Sequence, residues 1–430
     1  MKQIEVFDGN VLQAFPVQQQ IQKPLCFFHG SANNRDVTVP LDADLLSRHM
    51  VFLGGIGTGK TNAFFQVMHQ LRHSFTQDDV MIIFDTKGDF YREFYQPGDV
   101  VISNDDTATG IQGADYWNIF NEIEDDSHME ENIVEIAKTL FNKRLEQSSQ
   151  PFFPSAAKDL FSAILTHYTR NRGTQESNNK ILRDFLDTCS TVTLRNMLRQ
   201  HGDMKAMISY IANDESAQTQ GVVSELQQMT REIFLGNFKK EGTLSMRGLV
   251  RAKGGRRIFI EYDLGIGNML SPIYSLLFDM AIKEALGRKK SEGSVYFITD
   301  EFSLIPNLQH VDDAVNFGRS LGVKFMIGIQ NVDQVFEGYG EARARSLLSG
   351  FLTSICFRVN DVHSKHFIRD LHGENRKKET FMSAVASRGI TEQIRDAHVV
   401  EDWDVSRLQL GQAIIGLPGK EPFLFQFKKA

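Results

Sequence analysis

A glycine-rich stretch contains the residues of this sequence that are best suited to chemistry. It reads, in order, Gly54, Gly55, Ile56, Gly57, Thr58, Gly59, Lys60 and Thr61. The order fits G-x-x-x-x-G-K-[ST], the pattern of a phosphate-binding loop, or P-loop. Glycines let the backbone turn tightly, so that N–H groups and a helix N-terminus face phosphate oxygens. Lys60 would reach the β- and γ-phosphates of ATP, and Thr61 would bind Mg²⁺ through its hydroxyl.

The residues on either side of the loop favour this interpretation over a glycine-rich turn with a chance lysine. Met50–Leu53 is a short apolar run typical of a buried strand. From Asn62, which we include among the nucleotide-binding residues, apolar residues recur at helical spacing. A strand, a glycine loop and a helix in succession are the context that the motif requires.

A second candidate group is an acidic pair, Asp300 and Glu301, that follows the apolar run 295–299. In a parallel sheet, ligands bind at the carboxyl ends of the strands. We expect Asp300 to hold Mg²⁺ through water and Glu301 to polarise the attacking water. The alternative is that two acidic residues merely end a strand.

Two further polar residues lie near the next predicted strand, 324–329. Gln330 ends that strand and would sense the γ-phosphate, or else it caps the following turn. Arg319 ends the preceding helix. It would act as an arginine finger in a neighbouring subunit's site, or it is a solvated arginine that offsets the helix dipole.

The elements that position these residues indicate an α/β fold with a mostly parallel sheet. Predicted strands at 80–84, 100–102, 257–262 and 296–298 alternate with helical patterns. Residues 1–47 are predicted to form a β-rich lead-in, and 48–122 with 239–430 the nucleotide-binding domain. Residues 123–238 are predicted to form an inserted all-α domain. Ser271 and Pro272 predict a helix start.

Composition narrows the possible functions. The 430 residues have a net charge of −7, which argues against a generally basic nucleic-acid binder but allows a local basic ring. The run 376–378, Arg-Lys-Lys, would line a pore or form a solvated face. No run of eighteen apolar residues occurs, and the three cysteines fit no metal spacing. We therefore expect a cytoplasmic protein that meets the inner face of the membrane through a partner.

The chain resembles the conjugative coupling proteins of type IV secretion systems, the TraD/TrwB/TraG group of RecA-like motors. The motifs of this resemblance are Ser47–Met50 before the P-loop, Phe84–Phe90, Phe94–Asp99, Tyr116–Asn118, Asp300-Glu301, Gly318-Arg319 and Ile329-Gln330. Asn331 departs from the serine that the family often has after the glutamine.

The resemblance implies a RecA-like P-loop NTPase that uses ATP and Mg²⁺ and assembles as a hexamer. It implies that Lys60, Glu301, Arg319 and Gln330 are catalytic, with Arg319 acting on a neighbour, and that Thr61 and Asp300 bind the metal. The expected partners are single- or double-stranded DNA, relaxase or relaxosome proteins, and a secretion channel or a membrane anchor subunit.

Two other functions are compatible with the motifs. One is a DNA pump of the FtsK/HerA type in repair, segregation or defence. The other is a nucleotide-gated scaffold that recruits protein cargo, with the all-α insertion as an adaptor dock. DNA-stimulated hydrolysis would separate the motors from the scaffold.

Overall fold

The computed structural model describes residues 2–16, 21–106, 115–124, 127–287, 292–382 and 390–430. The chain divides into two compact units. The first comprises Met1–Thr76, Tyr296–Ser303 and Asp312–Ala430, and the second comprises Gln77–Val295 and Leu304–Val311.

The strands of the described residues are β1 Lys2–Asp8, β2 Cys26–Ala32, β3 Arg35–Leu41, β4 Met50–Leu53, β5 Val80–Asp85, β6 Val100–Ile102, β7 Arg256–Glu261, β8 Val295–Thr299, β9 Val323–Ile329, β10 Thr353–Cys356, β11 Glu374–Met382, β12 Ile390–His398, β13 Gln412–Gly416 and β14 Phe423–Phe427.

The α-helices of the same residues are α1 Ala43–Ser47, α2 Lys60–Ser74, α3 Asp89–Phe94, α4 Met129–Gln147, α5 Phe152–Arg170, α6 Asn179–Thr188, α7 Thr191–Arg199, α8 Ala217–Ile233, α9 Met246–Ala252, α10 Gly267–Leu286, α11 Val311–Leu321, α12 Val332–Tyr339, α13 Glu341–Ser349, α14 Val362–His372 and α15 Asp402–Arg407. Short 3₁₀ helices form at Ile119–Glu122, Gly202–Ile211, Gly236–Lys239 and Phe302–Leu304. No helix in the described ranges is long and apolar enough to cross a bilayer.

The first unit is built on a mixed sheet with the strand order β3-β2-β14-β13-β10-β4-β9-β8. β4 pairs in parallel with both β9 and β10. The pairings β10/β13, β13/β14, β14/β2 and β2/β3 are antiparallel. Every residue of β4, β8 and β9 is buried, which explains why these strands are mostly apolar rather than alternating between apolar and polar residues.

Two glutamines attach helix α2 to strand β2. The side-chain amide of Gln66 accepts from His29 N at 2.9 Å and donates to His29 O at 3.0 Å. Gln70 does the same with Phe27, at 2.9 and 2.8 Å. Four residues of helix rise about 6 Å and two residues of strand about 6.6 Å, so both amides meet the strand in register. Each glutamine side chain thus makes the pair of backbone hydrogen bonds that a neighbouring strand would otherwise make.

A separate three-stranded sheet of the first unit, β1-β11-β12, is antiparallel and was not foreseen from the sequence. The basic run 376–378 lies on its central strand. Arg376 pairs with Asp396 at 3.2 Å, Lys377 with Glu401 at 3.0 Å, and Lys378 with Glu392 at 2.7 Å. The charges of the run are therefore offset within the chain.

In the second unit, β7 pairs in parallel with β5 on one side and β6 on the other. The described part of the predicted insertion, residues 123–124 and 127–238, forms helices and no strand. Two apolar stripes with helical spacing are buried, one at 133, 136, 137, 140 and 141 on α4 and one at 160, 161, 164 and 165 on α5. The boundaries of the insertion stay a prediction.

The predicted helix start at Ser271 and Pro272 was wrong. Helix α10 begins at Gly267, and Pro272 lies inside it. Proline has no N–H, so the carbonyl of Asn268 four residues earlier loses its helical donor. Lys143 of α4 supplies a replacement, with Nζ 3.2 Å from that oxygen. A tertiary contact thus allows a helix to continue through a residue that usually starts one.

The glutamine attachment of α2 can be tested by truncation. We expect Gln66→Ala to destabilise the protein by about 1–3 kcal/mol, because it leaves the N–H and C=O of His29 without these partners. Gln218→Ala, at an exposed position on α8, is the matched control and should be near neutral. Urea denaturation measures both, and equal midpoints would contradict the role of Gln66.

Candidate functional site: a nucleotide-binding edge

The P-loop connects β4, which ends at Leu53, to α2, which begins at Lys60. Its first two residues continue the hydrogen bonding of the sheet. Gly54 N donates to Ile329 O at 3.1 Å, and Gly55 N donates to Arg358 O at 3.0 Å. The loop therefore starts from a fixed position at the carboxyl end of the parallel strands.

Glycine is required in the loop for two different reasons. Gly57 and Gly59 have φ of +70° and +115°, in the left-handed region that side chains disfavour. At Gly54 the reason is space, because a Cβ there would lie 2.6 Å from Cβ of Phe357. The glycines of the motif are thus explained by conformation and by close approach.

A second glycine segment supports the loop from outside. Gly411 N donates to Thr58 O at 3.0 Å, and a Cβ on Gly59 would lie 3.1 Å from Cα of Gly411. Thr58 also closes the loop itself, since its Oγ1 donates to Gly55 O at 2.8 Å. Sequence analysis missed Gly411, which belongs to no motif and is brought to the loop by β13.

Lys60 is buried, and its ammonium group is held at the mouth of the loop. Nζ donates to Gly54 O at 2.5 Å and to Gly55 O at 3.3 Å. The cation therefore lies beside the loop backbone. When a nucleotide binds, its phosphate oxygens would replace these carbonyl oxygens as the hydrogen-bond acceptors of Lys60.

The two residues predicted to bind metal are in contact. Thr61 Oγ1 donates to Asp300 Oδ2 at 3.0 Å, although 239 residues separate them in the sequence. Gly328 of β9 makes room for the end of β8, because a Cβ there would lie 2.3 Å from Asp300 O. A hydroxyl and a carboxylate are the kind of oxygen ligand that Mg²⁺ takes, so the donor set fits that ion.

Glu301 is buried beside three other groups of the site. Its Oε1 accepts from Ser303 Oγ at 2.7 Å, and Gln330 lies near enough to affect its pKa. Burial raises the pKa of Glu301, while Ser303, the Lys60 charge and Gln330 act in the opposite direction. A carboxylate with a raised pKa is suited to accept a proton. Ser303 was not identified from the sequence.

Gln330 therefore lies where the sequence predicted, at the end of β9 and next to the acidic pair. The register of β9 against β4 pairs Ile329 with Leu53, which puts Gln330 beside the start of the P-loop. It lies near enough to Glu301 to lower the pKa of that carboxyl, so the candidate sensor and the candidate base are neighbours.

Asn62 has a different contact from the one expected. Its Nδ2 donates to Lys428 O, and its Oδ1 accepts from Ala430 N, both at 2.8 Å. The side chain is thus engaged with the segment after β14, and a contact of Asn62 with nucleotide stays a prediction.

Arg319 is the candidate that does not join the others. It lies four residues before β9 begins, whereas Gln330 follows the last residue of β9. A seven-residue strand spans roughly 20 Å, so Arg319 is at the opposite edge of the sheet from its own P-loop. Its Nη2 is 2.6 Å from Oδ1 of Asp44, and both side chains are about half exposed.

Comparisons with known proteins show the family and the fold of the chain. Residues 36–423 match the family model of the type IV secretion-system coupling protein DNA-binding domain. The coupling protein VirD4 of Bartonella quintana is 26% identical over 249 residues, which are 54% of this chain and 38% of VirD4. The coupling protein TraD of Escherichia coli K12 is 21% identical over 327 residues, which are 74% of this chain and 43% of TraD. The matches thus span about two fifths of the length of these relatives.

Among solved structures, the plasmid coupling protein TrwB in complex with ADP and Mg²⁺ is similar, with a TM-score of 0.72. The match has 18% sequence identity and covers 91% of this chain and 87% of TrwB. The expected α/β, RecA-like P-loop NTPase fold is therefore confirmed. Since the family model covers most of the chain, the protein belongs to the type IV secretion-system coupling protein family.

Proposed function

We propose that this chain is an ATP-hydrolysing motor that moves DNA, alone or joined to a relaxase, toward a type IV secretion channel. The observation that carries the proposal is a convergence of side chains at the edge of the mixed sheet where the parallel strands β4 and β9 end: Lys60, Thr61, Asp300, Glu301 and Gln330. Membership of the coupling protein family supports DNA and a secretion channel as partners.

Each of these five residues would have a distinct chemical role. Lys60 would neutralise charge on the β- and γ-phosphates, and Thr61 with Asp300 would hold Mg²⁺. Bound Mg²⁺ supplies charge neutralisation between phosphate oxygens. Glu301 would orient water and take its proton, which its raised pKa favours. Gln330, which lies near Glu301, would report whether the γ-phosphate is present.

The place of Arg319 supports an assembly in which sites are shared. Because Arg319 lies at the far edge of its own sheet, it would act only on the nucleotide of another copy. A closed ring, which we propose to be a hexamer, gives every site one such arginine. The ring would surround DNA and dock to a membrane-anchored subunit at the inner face of the membrane.

The charge distribution limits how DNA would be held. The net charge is −7, and the run 376–378 is paired with carboxylates. DNA contact would therefore involve a few basic residues per subunit, repeated around a channel, rather than one strongly basic face.

The function can be tested by measuring ATP hydrolysis with and without DNA. We expect single- or double-stranded DNA to increase the rate, and light scattering to show an assembly larger than a dimer under the same conditions. The stimulation should weaken as salt rises, because phosphate contacts release counterions. A rate of ATP hydrolysis that neither single-stranded nor double-stranded DNA changes would favour the recruitment scaffold instead.

A substitution at Glu301 separates nucleotide binding from chemistry. We expect Glu301→Gln to bind Mg²⁺-ATP as the wild type does but to hydrolyse it roughly 10²- to 10⁴-fold more slowly, because the general base is lost. Titration with ATP and phosphate release measure the two properties. As a contrast, Asp300→Asn should weaken the Mg²⁺ dependence of binding. Loss of ATP binding in folded Glu301→Gln protein would show that the two acids have other roles.

Mixed assemblies test whether Arg319 acts on a neighbour. Arg319→Ala alone should lose on the order of 10³-fold in turnover, as arginine fingers do. Lys60→Ala should also be inactive, because its own P-loop fails. A subunit-exchanged mixture of the two should regain activity at interfaces where an intact P-loop meets an intact arginine. A mixture no more active than its separate components would exclude action in trans.

A further inference from the structure

The segment that follows the two candidate catalytic acids is bound to helices of the second unit. Residues 304–311 begin directly after Ser303, which donates to Glu301, and they end where α11 begins. Residues 305–310 form turns and bends rather than a helix or a strand. The position of this segment therefore depends on the groups that bind it.

Helix α10 holds the first half of the segment. Ile305 and Leu308 are fully buried. Between them, the carbonyl oxygen of Pro306 accepts a hydrogen bond from Ser275 Oγ at 2.9 Å. The segment is thus fixed by apolar burial and by a polar contact with α10.

Asp279 of α10 binds the backbone of the second half. Its Oδ1 accepts from Gln309 N at 2.8 Å and from His310 N at 3.3 Å. The side chain is fully buried, and burial raises the pKa of Asp279 to about 7. Its Oδ2 has no hydrogen-bond partner in the part of the chain that the structure describes. The two N–H groups of the segment therefore compensate for the burial of this carboxyl group.

Helix α4, which belongs to the predicted all-α insertion, binds the side chains of the same two residues. Gln309 Nε2 donates to Thr139 Oγ1 at 2.6 Å, and His310 Nε2 is hydrogen-bonded to Oε1 of Glu135. Thr139 and Glu135 are four residues apart and lie on one face of α4. The insertion thus meets the segment through two adjacent contacts.

The contact between His310 and Glu135 is an ion pair with a third member. Lys283 of α10 binds Oε2 of Glu135, and together the two cations hold the pKa of Glu135 below its usual value against the effect of burial. Burial alone would lower the pKa of His310, but Glu135 raises it above its usual value. His310 is therefore a proton-dependent part of the attachment.

We propose that helix α4 positions the catalytic base Glu301 by holding residues 304–311, so that the helical insertion controls the rate of ATP hydrolysis through this segment. Gln309 and His310 are the positioning residues of the segment. The inference rests on the proposed function, since it needs Glu301 to act as the base. It extends that function to a helix that supplies none of the residues of the nucleotide-binding edge.

The chain between the segment and Glu301 is short enough to transmit a displacement. Leu304 is in the 3₁₀ turn that begins at Phe302, and Ser303 in the same turn donates to Glu301. A general base must stay within hydrogen-bond reach of the proton that it accepts, and an error of about 1 Å can slow a reaction strongly. A loosened segment would therefore reduce turnover without removing a group that binds ATP.

The decisive experiment uses His310 variants of the full chain. We expect His310→Ala to lower the maximal rate of ATP hydrolysis by about tenfold, with little change in the Kd of Mg²⁺-ATP. His310→Gln should recover part of the rate, since its amide can still donate to Glu135. His128→Ala is the matched control, because His128 also pairs with a glutamate of α4, Glu131, at 3.2 Å. It should leave the rate unchanged.

A variant on α4 tests whether the effect comes from the insertion. Glu135→Gln should lower the maximal rate although the segment itself is unchanged. The double variant Glu135→Gln/His310→Ala should lose less than the product of the two single losses, because both substitutions remove the same contact. Fully multiplicative losses would contradict a shared contact.

The dependence on pH provides a readout that a merely structural role would not change. The charged groups that face His310 are Glu135 from α4 and Asp279 and Lys283 from α10. Because the pKa of His310 is raised, its ion pair is present below that pKa and is lost as the pH rises through it. The ratio of the wild-type rate to the His310→Gln rate should therefore fall between about pH 6 and about pH 9. The ratio removes the titration of Glu301, which both proteins share, and a constant ratio would contradict the role of the ion pair.

The outcomes distinguish this inference from the proposed function. Thermal denaturation checks that each variant is folded, and the two glutamine variants carry the test if His310→Ala does not fold. A wild-type rate in folded His310→Ala or Glu135→Gln, or a loss of ATP binding in proportion to the rate, would overturn the inference alone. A wild-type protein without ATP turnover would overturn the proposed function, and this inference with it.

Discussion

The parallel register of β4 against β9 is the constraint on which the rest of the site depends. It pairs Leu53 with Ile329, so the chain leaves both strands at the same level. The P-loop then starts beside Gln330, and the hydrogen bond from Gly54 N to Ile329 O extends the pairing into the loop itself. A shift of one residue would turn Gln330 to the other face of the sheet.

The helix after the P-loop is held by polar contacts as well as by its apolar face. Gln66 and Gln70 replace a strand partner of β2, and Asn62 binds the segment after β14. These amides lie at intervals of four residues and therefore on one face of α2. A buried backbone N–H or C=O without a hydrogen-bond partner destabilises the fold. The backbone groups of β2 that bind the two glutamines therefore fix the position of α2 along the strand, as apolar packing also does. The position of Lys60 at the start of α2 follows from this attachment.

The two edges of the parallel strands have different chemistry. The carboxyl edge gathers the P-loop, the acidic pair and Gln330, which form a compact set with Glu301 buried among them. The amino edge presents Arg48 and Arg319, which both bind the carboxylate of Asp44. In the proposed ring, an edge that would hold phosphate would face an opposite edge of the next copy that presents guanidinium groups, which is the relation that a head-to-tail assembly needs.

The sequence by itself determined the residues that are constrained locally. The P-loop could be recognised because its glycines, lysine and threonine must be consecutive, and the buried strands because continuous apolar runs persist over several residues. The acidic pair and Gln330 could be placed at strand ends for the same reason, since each directly follows such a run.

Only the tertiary structure decided contacts between distant segments. These contacts depend on which strands pair and where helices end. They are the hydrogen bond between Gly411 and Thr58, the glutamines bound to β2, the sheet formed by β1, β11 and β12, and the sharing of Asp44 by two arginines. Pro272 shows the physical reason, because its local preference for a helix start was overridden when Lys143, from another helix, supplied the missing hydrogen bond.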